Sequence, residues 1–113
     1  MKDNGQIYKL LLELGIFPSR NGFRYLYELL VMAMEGADIY PLKKKGYRIL
    51  AEKYGKNAEN IDKSVQNAIS CMFEKGDMDK INEIFGNTID ENRGKAGNKQ
   101  FICTVLEYLN NNK

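Results

Sequence analysis

The sequence predicts an all-α protein, six helices in a bundle-like arrangement with a helix-turn-helix pair embedded among them. Apolar residues recur at intervals of three and four along nearly the whole chain, the pattern of helices with one buried face. Only two prolines interrupt the 113 residues, and glycines stand at the ends of most periodic stretches. A chain of this length reads as one domain over residues 1–113, large enough to bury a core.

The elements follow in order. Ile7, Leu10, Leu11 and Leu14 form the apolar face of a first helix that Gly15 ends. Beyond Pro18, Asn21 is the expected cap of a second helix over Gly22 to Glu35, with Phe23, Leu26, Leu29, Leu30 and Ala33 as its stripe and Gly36 as its stop. Residues 37–45 hold Pro41 and three consecutive lysines and read as a loop. A third helix is expected from Gly46 to Tyr54, closing at Gly55. The strongest helix should run from Ala58 to Lys75, with Ile61, Val65, Ala68, Ile69, Met72 and Phe73 on one face. Gly76 stops it, and Asp77 opens a short fifth helix from Met78 to Phe85, closed by Gly86. Residues 87–97 are polar apart from Ile89 and read as a long loop. Asn98 is then the expected cap of a last helix carrying Phe101, Ile102, Val105, Leu106 and Leu109, running out in Asn110 to Asn112.

Composition excludes much chemistry. There is no histidine, which removes the usual proton-transfer side chain near neutral pH, every Ser-His or Cys-His pair and the commonest zinc ligand. The expectation is no enzyme, no metal and no cofactor. Cys71 and Cys103 each sit inside an apolar helical pattern, so a reduced, cytoplasmic protein is expected rather than a disulfide framework. The start, Met1 to Gly5, lacks the apolar run of a signal peptide, and no apolar stretch approaches the ~20 residues of a membrane helix. Asp77, Asp79 and Glu83 are explained by capping and the helix dipole rather than by a metal. Phe23, Tyr25, Tyr27 and Tyr40, and the methionines Met32, Met34 and Met72, are read as packing groups before they are read as stacking platforms or partner grooves.

Charge is informative in its distribution. Residues 39–75 carry eight basic and four acidic groups, a surplus of four, whereas residues 1–38 and 76–113 are each short by one, at four against five and five against six. This basic block coincides with the spacing of a helix-turn-helix at about residues 46–75. Ala51 supplies the small residue where two helices meet, Gly55 the turn four residues later, and Ile61 the apolar pin six further on, with Leu50 and Tyr54 completing the seam. Ser64 departs from the pattern, and Val65 takes its buried role. At 100° per residue, the opposite side of the second helix presents Glu59, Asn60, Lys63, Asn67 and Ser70, with Gln66 at its edge. Asn60, Lys63, Gln66 and Asn67 are the candidate base contacts, since amides pair with adenine and lysine donates to guanine acceptors. Lys44, Lys45, Arg48, Lys53 and Lys56, with Lys43 beside them, are the candidate phosphate contacts that would set register. Any one of these lysines is adequately explained as a solvated charge, so the inference rests on their convergence.

These blocks together resemble the DNA-binding effector domain of the stage zero sporulation response regulator of endospore-forming Firmicutes. The resemblance runs from Leu11 to Leu109 and is carried by Glu13-Leu14-Gly15-Ile16, Gly22-Phe23-Arg24-Tyr25-Leu26-Tyr27-Glu28, Tyr47 with Ala51-Glu52-Lys53-Tyr54, and Val65 with Ala68-Ile69. It continues through Gly76-Asp77-Met78-Asp79-Lys80-Ile81, Phe85-Gly86, and Asn98 followed by Phe101-Ile102. It implies a six-helix fold that binds tandem sites on double-stranded DNA, as a tandem dimer, and touches RNA polymerase. Where that family reads DNA with arginines and a histidine, the matching positions here are Asn60, Lys63, Gln66 and Asn67, with Asp62 as the acidic neighbour. Exchanging arginine for amides trades guanine-directed for adenine-directed bonding, so a changed, weaker and more A·T-tolerant site is expected. The family also carries an amino-terminal phosphoacceptor receiver, and no aspartate of this chain has one around it. A competing expectation is an interaction module that keeps the fold but modulates the sporulation regulator or RNA polymerase without reading DNA.

Overall fold

The computed structural model describes residues 4–86 and 97–111, and it is all-helical over them. Its elements are α1 (Asn4–Leu14), α2 (Asn21–Met34), α3 (Gly46–Tyr54), α4 (Ala58–Lys75), α5 (Met78–Phe85) and α6 (Asn98–Asn111). Four starts or stops follow local chemistry. Gly15 adopts φ 98° where α1 ends, and the Asp77 carboxylate accepts from the backbone N–H of Asp79 at 2.9 Å and of Lys80 at 3.2 Å. Asn57 and Gly55 govern the α3–α4 turn. The expected loop at residues 87–97 lies outside the described residues except for Gly97.

Two expected caps are corrected. Asn21 is the first residue of α2, and Arg20 holds the cap position in extended backbone with no side-chain bond. The second helix stops at Met34, with Glu35 beyond it. At α6 the N–H of Phe101 returns to the carbonyl of Gly97 at 2.9 Å, so Gly97 occupies the cap and Asn98 is already helical. Its side chain is thereby released for another role.

One cluster of buried side chains joins all six helices. Leu11, Leu14, Leu26, Leu29, Leu30, Ile61, Val65, Met72, Phe101 and Ile102 are all completely inaccessible. Phe23 and Tyr25 are core residues at 4% exposure each, as the packing reading expects, while Tyr27 and Tyr40 are half-buried. The helices α2 and α4 cross at the centre, and the crossing is backbone-close. A Cβ built on Gly22 would lie 2.3 Å from the carbonyl oxygen of Ser64 and 2.7 Å from the Cβ of Ala68. The half-buried Ser64 thus lies at the crossing, its backbone carbonyl against Gly22 of α2. No helix among the described residues is long and apolar enough to cross a membrane.

Candidate nucleic-acid interface

The α3–α4 pair is held by its own turn. Gly55 takes φ 65° and ψ 35°, the left-handed conformation, and the N–H groups of Gly55 and Lys56 both return to the carbonyl of Ala51. Nothing stands within 4 Å of a Cβ at Gly55, so the requirement for glycine comes from the dihedral and not from space. Asn57, in extended backbone, accepts the N–H of Asn60 at 2.8 Å and starts α4. Leu50, Ala51 and Ile61 form the buried seam at 1%, 8% and 0% exposure. Tyr54 contributes differently from its expected seam role. Its ring lies 5.4 Å from that of Tyr25 and its hydroxyl donates to Glu28, tying α3 to α2.

With the apolar face of α4 buried on its neighbours, its other face is open. Glu59, Asn60, Lys63, Gln66 and Asn67 are exposed, and Ser70 is half-buried. From Asn60 to Asn67 the helix rises about 10 Å, the length of about three base-pair steps. All four candidate base-contacting residues therefore share one open face of one helix.

The candidate phosphate contacts divide into two groups. Lys45 pairs with Asp38 at 2.6 Å, Arg48 with Glu52 at 3.6 Å, and Lys53 with Glu28 at 2.5 Å. The Lys45 hydrogen bond, aided by the Tyr40 N–H, holds the Asp38 carboxyl below its ordinary range, and Glu28 holds the Lys53 ammonium above its own. Lys43, Lys44, Lys56 and Lys63 are exposed and enter no ion pair with a described residue. The Lys45 and Arg48 pairs are well exposed and weak enough for a phosphate to displace. Lys53 is turned toward α2, where Glu28 is only 19% exposed.

Three residues that the sequence reading left out of the site set the pose of α4. The Asn98 amide nitrogen donates to the Asp62 carboxylate at 2.9 Å, to the Asp62 carbonyl at 3.2 Å and to the Tyr47 hydroxyl at 3.1 Å. This bridge joins α6, α4 and α3 one turn into α4. Burial pushes the Tyr47 hydroxyl well above its usual pKa, the Asn98 bond opposes that, and the Asp62 charge reinforces it. Asp62 thus serves the scaffold on the flank of α4 rather than the open face. The one available signal was Gly97, which can end the preceding loop without help from Asn98. Asn98→Ala is expected to cost about 1 kcal/mol by removing the bonds that tie α6 to α3 and α4, while Tyr47 and Asp62 keep their bond to each other, read as a lower urea midpoint. Asn98→Asp should cost more at pH 7, because two carboxylates then face each other. That extra loss should diminish as pH falls and the introduced group, its pKa raised by Asp62, takes up a proton.

Among known proteins, the model of the family described as sporulation initiation factor Spo0A C terminal matches residues 7–109, nearly the whole chain.

Proposed function

This chain belongs to the Spo0A C-terminal family, the DNA-binding effector domain of a sporulation regulator, and on that premise we propose that it reads duplex DNA sequence with α4 in the major groove. The observation that carries the reading is the open face of α4. Its amides and single lysine stand outward together on a helix whose other side is wholly engaged in the core. Asn60, Gln66 and Asn67 offer paired donor and acceptor groups suited to adenine, and Lys63 offers donors to guanine. Lys44 and Lys56, free of carboxylate partners among the described residues, are the leading phosphate contacts, with Lys45 and Arg48 recruited by exchange of their exposed ion pairs. Lys53 is assigned to α2 and not to DNA.

The experiment is selection of bound sequences from a randomised duplex pool at low and high salt, with Lys63→Ala and Asn67→Ala alongside the parent protein. An enriched, A·T-tolerant motif that blurs in both variants supports sequence reading. Retention without a motif points to phosphate contacts alone. Loss of retention at both salt concentrations rejects the DNA reading and favours the interaction module.

A further inference from the structure

The face of α2 opposite α4 carries a second feature. Counting 100° per residue from Gly22, which abuts α4, the side chains of Arg24, Tyr27 and Val31 fall on the far side of the helix. There they border a groove of about 590 Å³ between α1, α2 and the end of α3. Its walls are aromatic: Tyr8 meets the ring of Phe23 edge-on at 5.1 Å and that of Tyr27 at 6.0 Å. The apolar surface continues past the mouth of the groove, since Tyr8, Leu12 and Phe17 are 42%, 43% and 51% exposed. Leu12 follows Tyr8 by one helical turn, and Phe17 precedes Pro18 in the groove wall. A pocket for a small molecule encloses most of its ligand, whereas an apolar surface that spreads beyond a groove and is rimmed by charge marks a protein contact.

The rim specifies the charge of that partner. Glu28 is occupied by the Lys53 ammonium and the Tyr54 hydroxyl. Arg24, exposed and in the groove lining, has no carboxylate partner among the described residues, which leaves the rim positive. An occupant is therefore called on to bring apolar side chains and carboxylates. An amphipathic helix brings both, on opposite faces.

We propose that this groove docks an acidic amphipathic helix of a partner protein, its bulky apolar side chains over Tyr8, Phe23, Tyr27 and Val31 and its carboxylates facing Arg24. The site lies on the side of α2 away from the reading face of α4, so the docked helix and DNA do not compete for one surface. The proposal holds whether or not α4 reads DNA, and its test contains no DNA.

The probe is a designed 18-residue peptide with leucine and phenylalanine at helical spacing and glutamate elsewhere, compared with a twin carrying lysine at every glutamate. Binding to the intact chain is followed by fluorescence anisotropy, and the site is mapped by amide chemical-shift changes. The expected result is saturable binding of the acidic peptide, at least about tenfold tighter than its basic twin, with shifts on α1 and α2. Arg24→Glu, an exposed change that should leave the fold intact, is expected to erase or invert that preference. Val31→Glu, checked by circular dichroism, should abolish binding of both peptides. Absence of saturable binding, equal affinity for the two twins, indifference to Arg24→Glu, or shifts confined to α4 would each overturn the proposal.

Discussion

Gly22→Ala is expected to destabilise the protein by about 3 kcal/mol, although alanine is otherwise the better helix former. Two effects of opposite sign meet at this position. Intrinsic propensity favours alanine over glycine inside a helix by at most about 1 kcal/mol. Against it, the added methyl would lie 2.3 Å from the carbonyl oxygen of Ser64, 3.0 Å from its carbonyl carbon and 2.7 Å from the Cβ of Ala68. Two of those three atoms are backbone, so no rotamer change relieves the contact. Either α4 moves away from α2 or the backbone distorts, and both loosen the fully buried layer of Leu26, Ile61, Val65 and Met72. The measurement is the urea midpoint and slope of Gly22→Ala beside Gly97→Ala. Gly97 has no described atom within 4 Å of its would-be Cβ and no positive φ, so that control should lose only the cap preference for glycine over alanine, at most about 1 kcal/mol. A Gly22→Ala protein as stable as the parent would mean that the two helices are further apart than this geometry has them.

The same position shows what was legible in the sequence. The boundaries of α3, α4 and α5 could be read residue by residue, because each is set by groups within its own turn: a left-handed Gly55, an Asn57 cap and an Asp77 cap. Family and fold class were legible as well, the first from ordered blocks of residues and the second from periodicity. What could not be read was every feature decided by a neighbour. Gly22 looked like the first residue of a helix, and Ser64 like a flaw in a helix-turn-helix pattern. Together they are one close crossing. Asn98 looked like a cap, and its bonds instead reach 36 and 51 residues back along the chain, to Asp62 and Tyr47. Lys53 was indistinguishable from Lys56 in a basic segment, because only the fold places Glu28 against one and not the other. Local rules report what a residue can do, and packing selects among those possibilities.

That last distinction yields the second large effect, a division of the lysines by duplex titration at several salt concentrations. Lys63→Ala is expected to weaken binding to the selected site by about 1–3 kcal/mol, with a much smaller loss on random duplex, because a base-edge contact has no counterpart on the wrong sequence. Lys56→Ala should weaken selected and random duplexes alike and lower the slope of log K against log salt by about one, the signature of one phosphate contact removed. Lys53→Ala removes the same charge three residues away, yet it should leave affinity and slope near the parent values. The Lys53 ammonium is held by Glu28 on the α2 side, and what remains of its field at the DNA is screened over about 8–10 Å. Asp38→Asn makes the opposite prediction in sign. Removing the carboxylate that grips Lys45 at 2.6 Å frees that ammonium for phosphate and should tighten binding to every duplex without sharpening sequence preference. Equal losses for Lys53→Ala and Lys56→Ala would show that only net charge matters and that the fold does not sort these lysines. Equal losses on selected and random duplexes for Lys63→Ala would remove base reading from the open face of α4. A tightening by Asp38→Asn would bring the 38–45 loop into the interface, because an ion pair remote from DNA has nothing to release into it.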